Sequence, residues 1–324
     1  MRVLSAVAIV GLCAALPAAA QPTRTQQYDA VSKPEAVDSE TQATDLKFKQ
    51  DAYDRMTVAV RVAGYGPYRF LIDTGADRTA ISTQLASRLH LKDGRKTVLH
   101  TVTGESLIGT ANVPVLDMTA NRVRNVDAAL LESEHIGADG ILGLDSLRSQ
   151  RILFDFKEQT LTMVPADAKM PVDKDTIVVT GRVKNGRLIL ADALLEGRQV
   201  TLVVDTGAQV SIGNEALRQK MSRGGRLKRA VPVELQSVTG EKLVGEYMMV
   251  HELNVGGVTM KDLPIVFANS HAFKRLGLDS RPALLLGMNA LRSFDKVSID
   301  FAKKKLRVVL PEEGSLERSA FAKL

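Results

Sequence analysis

Phe70-Leu71-Ile72-Asp73-Thr74-Gly75-Ala76 and Leu202-Val203-Val204-Asp205-Thr206-Gly207-Ala208 are the same sentence written twice in a chain of 324 residues. In each copy an apolar run, read as a buried strand, ends in an acid and a glycine turn. Such a turn at the end of a buried strand places a carboxylate where it can meet its counterpart. Two carboxylates brought face to face cannot both ionise easily, so one keeps a proton, and the pair can then activate a water.

The repeat extends well beyond these seven residues. Val102-Thr103-Gly104-Glu105 recurs as Val238-Thr239-Gly240-Glu241. Leu142-Gly143 with Leu147-Arg148-Ser149 recurs as Leu286-Gly287 with Leu291-Arg292-Ser293. Asp155-Phe156 recurs as Asp300-Phe301. The four blocks keep their order while the offset grows from 132 to 136, 144 and 145, so the second copy carries slightly longer loops. Ordered repetition of this kind marks an internal duplication.

The local pattern between the blocks is mostly β. Residues 56–62 are rich in β-branched side chains, 63–67 form a Gly/Pro turn, and 68–72 return. In the second copy 188–191 and 200–204 play these parts around Glu196-Gly197. Short helices are expected after each acidic turn, over 82–90 and 214–221, and after each Leu-Gly pair, over 146–148 and 289–292. Many short strands with glycine turns predict an all-β fold with short helices, built as two barrel-like lobes.

The N-terminal 1–20 reads as an export signal. Arg2 is the charged start, an apolar stretch follows to Leu16, and Ala18-Ala19-Ala20 offers a small-residue cleavage site. The apolar run is short for a membrane span, although an uncleaved N-terminal anchor is the alternative. Cys13, the one cysteine, lies inside this segment, so a chain cleaved after Ala20 has no disulfide or thiolate to depend on. Residues 21–45 are polar and read as a flexible leader, with a propeptide as the alternative. The predicted lobes are 46–164 and 176–310, joined by a linker at 165–175 and followed by a polar tail at 311–324.

Composition excludes several function classes. Trp is absent and aromatics are only 4%, which argues against a stacking platform for single-stranded nucleic acid. The net charge of +6 is spread out, with one basic cluster over 218–229 that reads as a solvated loop. The five histidines are scattered and form no His-Glu-x-x-His; there is no Gly-x-Ser-x-Gly and no Walker A loop. No metal and no organic cofactor are implied.

Each half resembles a retropepsin-like aspartic protease subunit. The resemblance is carried by Asp-Thr-Gly-Ala after apolar residues and by the later Ile141-Leu142-Gly143 and Leu285-Leu286-Gly287. Asp139-Gly140-Ile141-Leu142-Gly143-Leu144 is also similar to the corresponding stretch of pepsins. A retroviral enzyme needs two chains to supply two acids, whereas this chain carries both. The resemblance implies two retropepsin/pepsin-like lobes with the site between them, closest to single-chain bacterial enzymes of the periplasm.

By that resemblance Asp73 and Asp205 are the catalytic pair, and Thr74 and Thr206 cross-link the two acidic loops. Gly75 and Gly207 let backbone amides approach the acids. Ala76 and Ala208 stand where many pepsins carry a hydroxyl, so the acids should be less stabilised as anions and activity should lie toward weakly acidic or near-neutral pH. Asp77 matches an acid that grips substrate backbone, and Gln209 replaces it in the second half. Thr103-Gly104 and Thr239-Gly240 would be the tips of two flaps closing over substrate. Gly143 and Gly287 would pack behind the acidic loops. The implied activity is hydrolysis of an extended polypeptide by a monomeric, exported endopeptidase without nucleic acid or stable membrane insertion. A non-catalytic peptide-binding or structural envelope protein on the same fold is the alternative.

Overall fold

The computed structural model describes residues 5–7, 13–15, 45–47, 49–50, 56–118, 121–147, 150–165, 176–223 and 230–311. The proposed cleavage site, the leader up to residue 44, the linker beyond Pro165, residues 224–229 of the basic cluster and the tail beyond Pro311 lie outside them. Two short strands within the segment read as a signal, Ser5–Val7 and Cys13–Ala15, pair with Thr97–His100 and Val231–Gln236.

The protein is all-β, with two closed lobes and six short helices among the described residues. In the first lobe Met56–Val62 turns through Ala63 and Gly64, both at positive φ (52° and 85°), into Tyr65–Ile72. This two-residue turn, with both central residues left-handed, matches the twist of the strands it joins. Glu196 and Gly197 repeat it at 49° and 72° between Arg187–Leu195 and Arg198–Val204. Both returning strands begin earlier than the apolar pattern alone indicates, because the tight turn pairs their first residues, Tyr65 with Val62 and Arg198 with Leu195.

Each lobe closes on itself. Met56–Val62 pairs with Thr110–Met118 at Val62 and Leu116, and Arg187–Leu195 pairs with Lys242–Val255 at Ala193 and Val255. Closure removes exposed sheet edges and wraps the apolar faces round a core. That core includes Val60, Phe70, Leu116, Leu202, Leu253 and Ile265, each fully buried.

The acid is positioned by a strand threaded between two others. Gly140–Leu142 lies parallel to Tyr65–Ile72 on one side and antiparallel to Ala80–Ser82 on the other. Ala283–Leu286 takes the same place beside Arg198–Val204 and Ser211–Gly213. The residues between the flanking strands, Asp73 to Thr79 and Asp205 to Val210, must therefore loop across the end of the central strand. The Asp73 amide donates to the Leu142 carbonyl and the Asp205 amide to the Leu286 carbonyl, both at 3.1 Å. Gly143 and Gly287 sit directly behind these loops. A side chain at Gly143 would collide with the backbone of Arg78, and one at Gly287 would come 2.8 Å from the carbonyl carbon of Val210.

Helices follow the acidic loops where sequence places them, but end differently. Ser82 and Asn214 are the N-caps of Thr83–Arg88 and Glu215–Ser222, accepting from the Leu85 and Leu217 amides. The helices after the Leu-Gly pairs are Leu144–Leu147 and Met288–Leu291, earlier than expected in both lobes, since each begins immediately after its glycine.

The lobes are joined by a six-stranded sheet to which both contribute. Gln150–Asp155 of the first half pairs antiparallel with Lys296–Asp300 of the second, and the connector brings Thr176–Thr180 to the far edge. The repeated Asp-Phe motif thereby acquires a role: Asp155 and Asp300 each cap the turn that follows, accepting from the Glu158 and Lys303 amides at 2.9 and 2.8 Å. Asp300 also pairs with Arg151 across the lobes at 3.0 Å, with both side chains buried.

Candidate active site

The two acidic loops interlock. The Thr74 amide donates to Thr206 Oγ1 and the Thr206 amide to Thr74 Oγ1, both at 3.0 Å. Each hydroxyl then donates to the strand of the other lobe, Thr74 to the Val204 carbonyl at 3.1 Å and Thr206 to the Ile72 carbonyl at 3.0 Å. A threonine hydroxyl is suited to this because it accepts and donates at once. Replacing Thr206 by Val leaves the Thr74 amide and the Ile72 carbonyl buried without this partner. The expected cost is about 1–3 kcal/mol; a urea midpoint lowered for Thr206→Val but held by Thr206→Ser checks it.

Asp73 and Asp205 are fully buried. Asp73 Oδ1 accepts from the amides of Gly75 and Ala76 at 2.8 and 3.0 Å, and Asp205 Oδ1 from those of Gly207 and Ala208 at 3.0 and 3.3 Å. Among the described residues no group donates to either Oδ2, although both atoms are buried. The loops approach so closely that a methyl group on Gly75 would come within 2.5 Å of the Asp205 carboxylate, and one on Gly207 would strike Asp73. Glycine is required here by the space between the acids.

This environment holds the pair partly protonated. Burial raises the Asp73 carboxyl well above its usual range, and the negative charge of Asp205 raises it further. Burial likewise pushes Asp205 up to about 7, opposed by the Arg187 charge and the loop amides. The two titrate as a unit, and both shifts favour the protonated forms.

Arg187 was not singled out from the sequence. Its side chain is fully buried, and its guanidinium reaches from the second lobe to the first. Nε and Nη2 both donate to the Gly75 carbonyl, Nε at 3.1 Å, and Nη1 pairs with Asp77 at 2.7 Å. Asp77 is half-buried and engaged in this ion pair, and Gln209, its counterpart in the second half, is also half-buried. Nothing in the sequence separates Arg187 from an ordinary charge after the Asn185-Gly186 turn; its role comes from the other lobe.

A second brace was also missed. Thr79 Oγ1 bonds Asp145 and Ser146 and accepts from the Gly143 amide, while Ser211 Oγ bonds Asn289 and accepts from the Gly287 amide. The repeat offers a signal for it, since Thr79 and Ser211 share the offset of the acids and Asp145 and Asn289 that of the Leu-Gly pairs.

The expected flap tips are hairpin turns, and Thr103, Gly104, Thr239 and Gly240 are half-buried at them. Each tip packs on the opposite lobe. Val102 joins a cluster of second-lobe residues that includes Phe273 and Leu285, and Val238 joins first-lobe residues that include Leu99 and Ile136. The tips also touch each other, Thr103 Oγ1 donating to Glu241. Gly240, at φ 84°, lies against the ring of His135 with no room for a side chain.

Residues 58–149 match the family described as gag-polyprotein putative aspartyl protease, and residues 191–290 match the family described as aspartyl protease. Each match spans one acidic loop, one flap and one Leu-Gly pair. Each lobe thus carries one region matched by an aspartyl protease family model. A solved structure of a retropepsin-like aspartic protease from Rickettsia conorii is similar at 19% identity with a TM-score of 0.31, over 42% of this chain and 90% of that one. No curated protein matches.

Proposed function

We propose that this protein is an aspartic endopeptidase in which Asp73 and Asp205 activate a water for attack on a peptide bond. The observation that carries the reading is two fully buried carboxyls brought together by interlocked loops, each with Oδ1 held by backbone amides and with Oδ2 taking no partner among the described residues. One carboxylate takes a proton as water adds to the scissile carbonyl, while the protonated partner donates to the carbonyl oxygen. Collapse of the tetrahedral adduct breaks the C–N bond, and the leaving nitrogen takes up a proton, giving a carboxyl and an amine terminus.

The substrate is an extended polypeptide lying in strand form between the lobes and beneath the two flaps. Because Asp77 faces Arg187 and Gln209 is uncharged, the two halves of the cleft grip its backbone unequally. A single chain supplies both acids, so the working form is a monomer. The N-terminal pattern favours export, and no helix among the described residues is long and apolar enough to cross a membrane.

Digestion of a peptide library across a pH series, read by mass spectrometry, tests this. Cleavage is expected at weakly acidic to near-neutral pH, lost in the Asp73→Asn/Asp205→Asn protein. A rate maximum near pH 2–3, or cleavage unchanged in the double variant, contradicts the reading.

A further inference from the structure

Outside the acidic dyad, His100, Glu105 and His271 converge on one point. His100 ends the strand Thr97–His100 and Glu105 begins Glu105–Ile108, the two arms of the first flap. His271 opens the helix His271–Arg275 of the second lobe. His100 Nδ1 lies 3.1 Å from His271 Nε2 and 3.1 Å from Glu105 Oε1, and His271 Nε2 lies 3.5 Å from the same oxygen. The two rings are nearly parallel, 5° apart.

One facing ring nitrogen can donate to the other or to Glu105, and a neutral ring keeps a lone pair on the nitrogen that faces its neighbour. A cation at the centre satisfies all three atoms together. A tetrahedral ion with bonds of about 2.0–2.1 Å sets its ligands about 3.3–3.4 Å apart, and the three separations here bracket that value. Two imidazoles and one carboxylate suit zinc among the common divalent ions.

We infer that His100, Glu105 and His271 form a binding site for a zinc-type divalent cation that fastens the first flap to the opposite lobe. The fourth position is left for water. The flap already meets that lobe through the His271 amide, which donates to the Val102 carbonyl at 2.9 Å, so an ion at its base clamps a contact that substrate entry must open. The site belongs to one half only: Gln236 occupies the position of His100 in the second flap, at the offset that relates the two tips. Glu105 does recur as Glu241, but without a histidine at 236 the second half lacks the full set, and the site uses neither acid of the dyad.

Titration of the full-length protein with Co2+, followed by zinc competition, tests the site. One equivalent should bind with the d–d absorption of a four-coordinate ion, and zinc should displace it. Glu105→Gln, at a half-exposed position that tolerates substitution, and His271→Ala should each weaken binding by on the order of 100-fold. The Asp73→Asn/Asp205→Asn protein should bind as the parent does. Amide exchange over 101–105 should slow with zinc in the parent and not in His271→Ala. Absence of binding, an affinity in both flap-site variants equal to the parent's, or loss of binding only in the dyad variant overturns the inference.

Discussion

Replacing Asp205 by Asn is expected to abolish hydrolysis while making the protein more stable at neutral pH. Loss of one member of a general acid–base pair lowers the rate by on the order of 10⁴-fold. The stability gain follows from the raised carboxyl pKa. In the unfolded chain Asp205 ionises near 3.8, in the folded protein near 7. Between these values the folded state binds more protons than the unfolded one, so stability falls as pH rises through that window and stays low above it. Asn carries no charge to bury, and its amide can donate to Asp73. The full interval corresponds to about 4 kcal/mol; coupling to Asp73 divides the effect, so about 2–4 kcal/mol is expected at pH 7.5, and little at pH 4. Thermal unfolding of both proteins at the two pH values checks this. A variant less stable than its parent at pH 7.5 would show that the acids are not held against their charge.

Arg187→Ala is expected to damage stability most and to move the pH profile as well. The guanidinium satisfies the Gly75 carbonyl and Asp77 across the lobes, and removal of one partner from a buried charged network costs about 3–5 kcal/mol. Its positive charge also lowers the pKa of both dyad acids. Without it the pair should hold its proton to higher pH, so the alkaline limb of the rate profile shifts upward. Arg187→Lys separates the two roles. The ammonium keeps the charge and should return the limb toward its original position, but it lacks the planar fork that reaches the Gly75 carbonyl and Asp77 together, so stability stays low. Urea unfolding and the pH–rate limb, measured on both variants, distinguish this from a simple packing defect, which would lower stability and leave the limb in place.

Much of the architecture was written locally. The strand at 56–62 was legible from β-branched composition, and the caps Ser82 and Asn214 stood where helices were expected to begin. The duplicated Asp-Thr-Gly-Ala turns pointed to two lobes and to the acids. Helix limits after Gly143 and Gly287 were less legible, because a single turn of helix has no periodicity to read. The Asp-Phe repeats were visible as repeats, but their work as turn caps in a shared sheet depends on partners that sequence spacing does not disclose.

Histidines show the same limit more sharply. His100 and His271 are 171 residues apart and carry no ligand spacing, so the chain reads as having no metal site. They meet because the first flap crosses to the second lobe. Arg187 likewise reads as a surface charge until the first lobe closes over it.

By itself the sequence determined the repeated β-lobes, the two acids and the glycine and threonine neighbours that such acids need, because these depend on local conformation and on spacing within each half. Only the tertiary structure decided that the acidic loops interlock, that Arg187 reaches Gly75 and Asp77, and that each flap tip rests on the other lobe. Those contacts join residues more than a hundred positions apart, and they form only when two apolar cores and one shared sheet bring the halves together.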